Sequence, residues 1–153
     1  MADLNGSNNV LSATYAKTGI GTTELPAVFI KNPSGSGKTA NLLSVTIANV
    51  HTVSSWLRVR IYANPTTSAD GTAINRSTLD IGSGKTATCT AFQTPTVSVN
   101  GTLLFDFAVM WGTTYTYFFP SGVNLQAANT ILCTAIADGA SRIAAITLVW
   151  DED

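Results

Sequence analysis

Charged side chains are scarce in this sequence. Aspartate, glutamate, lysine and arginine make up 11% of its 153 residues, and the formal net charge is −1, whereas roughly 25% of an average soluble domain is charged. Binding nucleic acid without sequence specificity requires a basic patch. The eight lysines and arginines are scattered and form none, so we expect no nucleic-acid partner. A surface with few charges also suits docking between subunits, because little charge loses its water when the subunits meet. Simple compositional bias explains the scarcity equally well.

Long apolar runs are absent as well. No run reaches the roughly 18–20 residues that a membrane-spanning helix needs. The first nine residues, MADLNGSNN, contain neither the basic segment nor the apolar segment of a secretory signal. We therefore expect no membrane partner and synthesis in a cytoplasm.

Histidine and cysteine, the residues of many catalytic and metal sites, are rare. His51 is the single histidine and has no second ligand at metal-binding spacing. No G-x-S-x-G motif accompanies it, so no serine nucleophile is indicated. Cys89 and Cys133 lie in strand-like surroundings and are predicted to be buried free thiols. We expect Asp106 to be hydrogen-bonded or solvated and the acidic end, residues 151–153, to be solvated. The sequence thus predicts no catalytic residue, no metal and no cofactor.

A GSGKT segment occurs twice, at Gly35–Thr39 and Gly82–Thr86. A phosphate-binding P-loop needs an earlier glycine and a following helix. Asn32 and Leu79 occupy the positions of that glycine, and strand-like residues follow both copies. Both lysines are therefore predicted to be solvated turn residues.

The residues that are abundant favour β-structure. Threonine, a β-branched residue, is the commonest in the chain. In Ser55–Ala63 apolar side chains alternate with Trp56, Arg58, Arg60 and Tyr62, the period-two pattern of a strand with one buried face. Similar strands recur at short spacing. Asn100-Gly101 is the strongest hairpin signal, and residues 50–53 are short enough to close a second hairpin.

These patterns predict an all-β protein with a single-domain, jelly-roll-like β-sandwich of about eight strands. A closed up-and-down barrel is the alternative. We expect residues 25–153 to form the sandwich. Residues 1–24 are polar and are predicted to form an N-terminal arm or an irregular edge strand.

One strand face combines the residue types that are enriched at interface hot spots. We predict that this face and the apolar residues of the arm form an interface. Its residues are Trp56, Arg58, Arg60, Tyr62, Val10, Leu11 and Tyr15. The alternative is that Trp56 and Tyr62 belong to a second buried face, with both arginines at its rim.

Three segments carry a family resemblance: LPAVFIKNPSGSGKTANLLSVTIANV, SWLRVRIYANPTTSADGTAI and FPSGVNLQAANTILCTAIADGASRIAAITLVWDED. They resemble small β-sandwich virion proteins of tailed bacteriophages, namely capsid decoration (cement) proteins and related head appendages. The resemblance implies a non-enzymatic homotrimer that binds the major capsid protein on the outer capsid surface and stabilises the lattice. It identifies no functional residue.

Two other functions stay open. One is a carbohydrate-binding or receptor-binding module of a phage fibre or appendage, in which Trp56 and Tyr62, or Tyr115 and Tyr117, stack on sugars. The other is a hydrolase with an unrecognised site.

Overall fold

A computed structural model describes residues 9–79, 86–139 and 141–153. These residues contain thirteen β-strands and no helix. The strands are β1 (Asn9–Ile20), β2 (Leu25–Lys31), β3 (Ala40–Asn49), β4 (Trp56–Ala63), β5 (Thr66–Ala69), β6 (Thr72–Ala73), β7 (Ser77–Thr78), β8 (Thr90–Gln93), β9 (Thr96–Val99), β10 (Thr102–Met110), β11 (Thr114–Leu125), β12 (Thr130–Ala137) and β13 (Arg142–Glu152). The predicted all-β class is confirmed.

Eight long strands form two antiparallel sheets with the strand order of a jelly roll. The first sheet has the order β11-β3-β13-β1-β7, and the second has the order β10-β4-β12-β2-β8-β6. The first strand pairs with the last, β2 pairs with β12, β3 with β11, and β4 with β10. This nested pairing, distributed over two sheets, is a jelly-roll sandwich. The predicted sandwich is therefore confirmed and the barrel alternative is wrong.

Alternating side chains fill the space between the two sheets. Leu57, Val59 and Ile61 of β4 are buried in this core, as their sequence period predicts, and meet Ile47 and Trp150 in one apolar cluster. A separate cluster covers part of the outer face of the second sheet. It contains Phe29, Tyr62 and Leu132, against which Phe92 and Val97 pack. Part of this outer face is thus also buried.

The predicted hairpins are wrong, because no two consecutive strands of the described ranges pair with each other. Residues 50–55 connect β3 to β4, which lies in the opposite sheet. Asn100-Gly101 connects β9, which pairs with β5, to β10, which pairs with β4. Gly101 has a φ of 89°, and a Cβ there would lie 2.2 Å from the carbonyl oxygen of Ala63. Glycine is required at this position for close backbone approach rather than for a two-residue hairpin.

The N-terminal segment differs from the predicted polar arm. Residues 9–20 form β1 inside the first sheet, paired with β13 from Asn9 opposite Glu152 to Ile20 opposite Arg142. Leu11 and Ala13 point into the core. Only the two-residue β7 lies beyond β1 in its sheet, so the alternative of an irregular edge strand describes this segment better. Serine and threonine on the outward face give the segment its polar composition. Residues 1–8 of the predicted arm lie outside the described residues.

The prediction of a solvated acidic C-terminus is wrong for Asp151 and Glu152, which are buried, whereas Asp153 is exposed. The buried carboxylate of Glu152 accepts hydrogen bonds from the backbone N–H groups of Thr88 (2.7 Å) and Cys89 (2.8 Å) and from the indole N–H of Trp150 (3.1 Å). Asp151 is buried as well and accepts a hydrogen bond from the Asn41 amide. These carboxylates therefore fasten β13 to its neighbours.

Candidate interaction surface

The outward face of β4 carries an ion-pair network. Arg58 donates to Asp106 on the adjacent β10 at 2.7 Å, and Arg60 reaches the same carboxylate at 3.2 Å. Arg60 also pairs with Glu24 at 2.7 Å. The prediction that Asp106 is hydrogen-bonded is confirmed. Both guanidinium groups are thus neutralised within the chain, which leaves little charge on this face for a partner.

The tyrosine of this face is not available to a partner. Tyr62 is 8% exposed, and its hydroxyl donates to Glu24 at 2.9 Å. Burial, followed by the neighbouring Glu24 carboxylate, raises the pKa of Tyr62. Trp56 at the other end of the strand is 39% exposed. The structure thus brings the four predicted residues of β4 onto one face, but the alternative of a buried face applies to Tyr62.

The predicted interface residues of the N-terminal segment lie elsewhere. Val10, Leu11 and Tyr15 belong to β1 in the first sheet, whereas Trp56 belongs to the second. Leu11 is 2% exposed, and Tyr15 packs against the core. Leu11 therefore contributes to packing and is not exposed for contact with a partner, and Val10 is half-buried.

Exposed apolar side chains concentrate along β10 and β11, a region that the sequence did not predict to be an interface. Of eleven exposed large hydrophobic side chains in the described residues, six lie between residues 103 and 118. They are Leu103, Leu104, Met110, Trp111, Tyr115 and Phe118. Single exposed hydrophobic residues are ordinary, but six within seventeen residues of two adjoining strands favour an interaction site. We call residues 102–118, which comprise β10, its turn and the first part of β11, the β10–β11 edge.

Both strands of the β10–β11 edge are at the border of a sheet. Among the described residues, β10 pairs with β4 alone and β11 pairs with β3 alone. Native edges are usually protected by lysine, proline, bulges or very short strands. Here no residue from 107 to 137 is charged. The register shifts lie at the ends, between Leu103 and Phe105 in β10 and beyond Phe118 in β11, where Pro120 also lies. Regular backbone therefore remains open along residues 105–110 and 114–118.

Aromatic rings close the gap between these two edge strands. Phe105 and Phe107 of β10 meet Tyr117 and Phe119 of β11, with ring centroids 4.8 Å apart for Phe105–Phe119 and 5.2 Å apart for Phe107–Tyr117. Tyr115 joins at the end, 6.1 Å from Phe107. Such tilted pairs are favourable beyond their buried area. Most of the rings are only half-buried, so this side of the sandwich is incompletely covered.

The β10–β11 edge continues into an apolar patch at one end of the sandwich. The backbone N–H of Trp111 donates to the Ser55 carbonyl at 2.9 Å, so the β10–β11 turn adjoins the β3–β4 connection. We call the exposed apolar residues here the apolar end. They are Val50, Val53, Trp56, Met110 and Trp111. The sequence signal of this region lies in LLFDFAVMWGTTYTYFF, where apolar residues occupy both faces of a strand. A strand with one face in the core and one face in solvent needs apolar residues on one face only.

The other sequence motifs form no chemical site in the described residues. His51 lies in the β3–β4 connection, where its Nδ1 accepts the backbone N–H of Val53 at 3.1 Å. The thiols are free and buried, as predicted, and burial raises the pKa of both Cys89 and Cys133 to about 12. No group of three or more potential metal ligands occurs in the described ranges. None of the elements described is a helix long and apolar enough to cross a membrane.

The GSGKT copies differ in what the structure describes. The first is followed by β3, not by a helix, and Lys38 is exposed, as predicted. Most of the second copy, including Lys85, lies outside the described residues. The first copy therefore lacks the helix N-terminus that a phosphate site requires.

No protein-family model matches the chain, and no curated protein matches it. Among solved structures it is similar to a protein of Bacillus endospore appendages, which form disulfide-linked pili, with 10% identity, a TM-score of 0.44 and coverage of 99% of this chain and 94% of that one. It is also similar to VP1 of Trichodysplasia spinulosa-associated polyomavirus in complex with 3'-sialyllactose. The identity is 9%, the TM-score is 0.46, and the match covers 97% of this chain and 96% of that one. The VP1 pentamer of Human Polyomavirus 6 gives 6% identity, a TM-score of 0.39 and coverage of 96% and 95%. At these values the likeness assigns no family or function.

Proposed function

We propose that this protein is a structural virion protein that decorates a phage head: a non-enzymatic homotrimer that binds the major capsid protein on the outer surface. The observation that carries the proposal is the concentration of exposed apolar side chains in the β10–β11 edge and the apolar end. Jelly rolls are common among capsid domains. Because one fold serves many functions, the proposal depends on the surface and not on the fold.

The charges near this surface support assembly rather than catalysis. The carboxylates of Glu24 and Asp106 are occupied by Arg58, Arg60 and Tyr62 of the same chain. These groups hold each other in fixed positions and present little unpaired charge. A subunit that docks here loses little charge solvation, which favours stable packing in a lattice.

We assign the capsid contact to the apolar end. Trp56 and Trp111 are exposed there beside Met110, and tryptophan is among the residues most enriched at interface hot spots. An apolar patch fits an uncharged surface formed where capsid subunits meet. The assigned contact includes Trp56, which belonged to the predicted interface. It excludes Tyr62, which is buried, and adds Met110 and Trp111.

Co-sedimentation with expanded heads of the virus that encodes the chain, stripped of bound appendages, tests this function. The wild-type protein should bind saturably, and Trp111→Ser should weaken binding by about tenfold or more, the range of a hot-spot residue. Leu79→Ser is the matched control, because Leu79 is similarly exposed at the opposite side of the first sheet. Absence of wild-type binding, or equal loss in both variants, contradicts the proposal.

A carbohydrate-binding module is the second candidate function. The exposed Trp56 lies beside Arg58, whose side chain is 44% exposed, and an indole ring with a nearby donor suits sugar stacking. A glycan array decides this point. Micromolar binding that Trp56→Ala abolishes, together with no binding to heads, favours the module over the decoration protein.

A further inference from the structure

The β10–β11 edge leaves two complementary surfaces of one chain without a partner. β10 ends the second sheet and β11 ends the first, so each exposes a row of backbone N–H and C=O groups on the same side of the sandwich. A tight turn at residues 111–113 joins the two strands, which therefore run in opposite directions. We infer that copies of this chain associate through this edge, with β10 of one copy beside β11 of the next.

The strand directions make this arrangement geometrically consistent. Rotation about an axis parallel to the strands preserves strand direction, so β10 of one copy lies antiparallel to β11 of its neighbour. A contact between two different surfaces closes into a ring when the rotation permits. The inference depends on the proposed function only for the number of copies, three, in that ring.

Charge selects a second copy over a charged partner. Asp106 is the only charged residue of the edge, and two arginines of its own chain already neutralise it. A second copy therefore meets no repulsion, whereas a basic or acidic partner finds no counterion. A second copy also supplies the two things that the edge lacks: an open antiparallel strand and aromatic rings to cover Phe105, Phe107 and Tyr117.

In a ring the edge of each copy is divided between two neighbours, so each contact also needs adjoining residues. β10 has nine residues, which corresponds to roughly 30 Å of strand. With sheets about 10 Å apart and side chains on both outer faces, the edge covers about 600 Å². Stable interfaces bury about 800 Å² per partner. The adjoining residues Met110 and Trp111 extend the apolar area at one end.

A proline at Thr116 tests the inference at the backbone. The N–H of Asn49 donates to the carbonyl of Thr113, and bonded and non-bonded pairs alternate along an antiparallel ladder. Thr116, which is opposite Thr46, then occupies a non-bonded position whose N–H points toward the open side. Thr116→Pro removes that donor and blocks strand docking without breaking a backbone hydrogen bond to β3, although its hydroxyl contact with Thr46 is lost. Thr116→Ala is the matched control, because it retains the N–H and loses only the hydroxyl contact with Thr46.

Sedimentation velocity over a concentration series gives the readout, with far-UV circular dichroism as the folding check. We expect the wild-type protein and Thr116→Ala to form a closed oligomer, and Thr116→Pro to need at least about tenfold higher concentration. A wild-type protein that is monomeric at every concentration overturns the inference. Assembly of Thr116→Pro at the wild-type concentration overturns it as well.

Hydrogen exchange on the wild-type protein decides the matter if Thr116→Pro does not fold. Amides of residues 105–110 and 114–118 should exchange more slowly in concentrated than in dilute samples, whereas those of β1 should not change. Equal exchange at both concentrations overturns the inference. An assembled protein that ignores heads contradicts the proposed capsid binding and leaves the inference standing. A monomer that binds heads contradicts the inference and the trimeric state, and leaves the proposed capsid binding standing.

Discussion

The two sides of the sandwich end in different ways. On the β1 side the outermost strands, β6 and β7, have two residues each. On the other side the outermost strands are β10 and β11, with nine and twelve residues. Short edge strands offer little template for another strand, whereas long regular ones offer a great deal. The same chain thus protects one side of its sheets and leaves the other side open.

Side chains follow the same division. The outward residues of β1 are small or polar, and its only charged residue, Lys17, shares the inward face with Leu11 and Ala13. Burial lowers the pKa of Lys17. An inward-pointing charge near an edge discourages pairing with another chain. The β10–β11 edge has no lysine and exposes Phe118 to 70%. The difference supports our proposal that the open side serves contact, whereas the β1 side maintains the fold.

Among changes that test this difference between the two sides, deletion of β1 is expected to reduce stability the most. Removing residues 1–20 takes away the strand that pairs along β13, together with the buried Leu11 and Ile20. Each such side chain stabilises by about 1.5–3 kcal/mol, against a total of about 5–15 kcal/mol for a domain. We expect loss of the cooperative thermal transition in circular dichroism. Deletion of residues 1–8 alone, which retains β1, is the control; a native melt after the longer deletion would show that β1 is dispensable.

Replacement of Glu152 should have the next largest effect. Glu152→Ala leaves the N–H groups of Thr88, Cys89 and Trp150 without their acceptor. A buried donor left unsatisfied costs about 1–3 kcal/mol, so we expect a loss of about 2–4 kcal/mol in urea unfolding. Glu152→Gln, which keeps one acceptor oxygen, should lose less. Equal stability of all three proteins would mean that the carboxylate does not fasten the β1 side.

Local sequence patterns predicted strands well and their partners poorly. The alternation in β4 identified its buried face correctly, because side-chain period depends only on neighbouring residues. The pairing of β1 with β13 and of β4 with β10 joins residues far apart in the chain, and no local signal contains that information. Asn100-Gly101 therefore suggested a hairpin where the chain changes sheets. Long-range pairing, not the turn, decides the topology of a jelly roll.

The sequence predicted only part of the candidate interaction surface, because exposure also depends on strands that are distant in the chain. Trp56 was identified from its strand pattern, but the burial of Tyr62 depends on Phe29 and Leu132 from other strands. Leu11 looked like part of a polar arm because its neighbours are polar, although β13 draws it into the core. The exposure of Phe118 depends on β11 being the last strand of its sheet. Edge position is a property of the sheet and not of the strand.

The smallest expected effect concerns the fold of the open side itself. Phe118→Ala should change the stability of the dilute monomer by no more than about 0.5 kcal/mol, because the ring is largely solvated and surface substitutions are usually near neutral. Phe119→Ala is the comparison variant and should destabilise the protein more. The Phe119 ring is buried against Phe105, and its removal leaves a cavity. Urea unfolding at low protein concentration measures both. If Phe118→Ala destabilises the monomer as much as Phe119→Ala does, then the open side is part of the folding core, and the division between a side for stability and a side for contact fails.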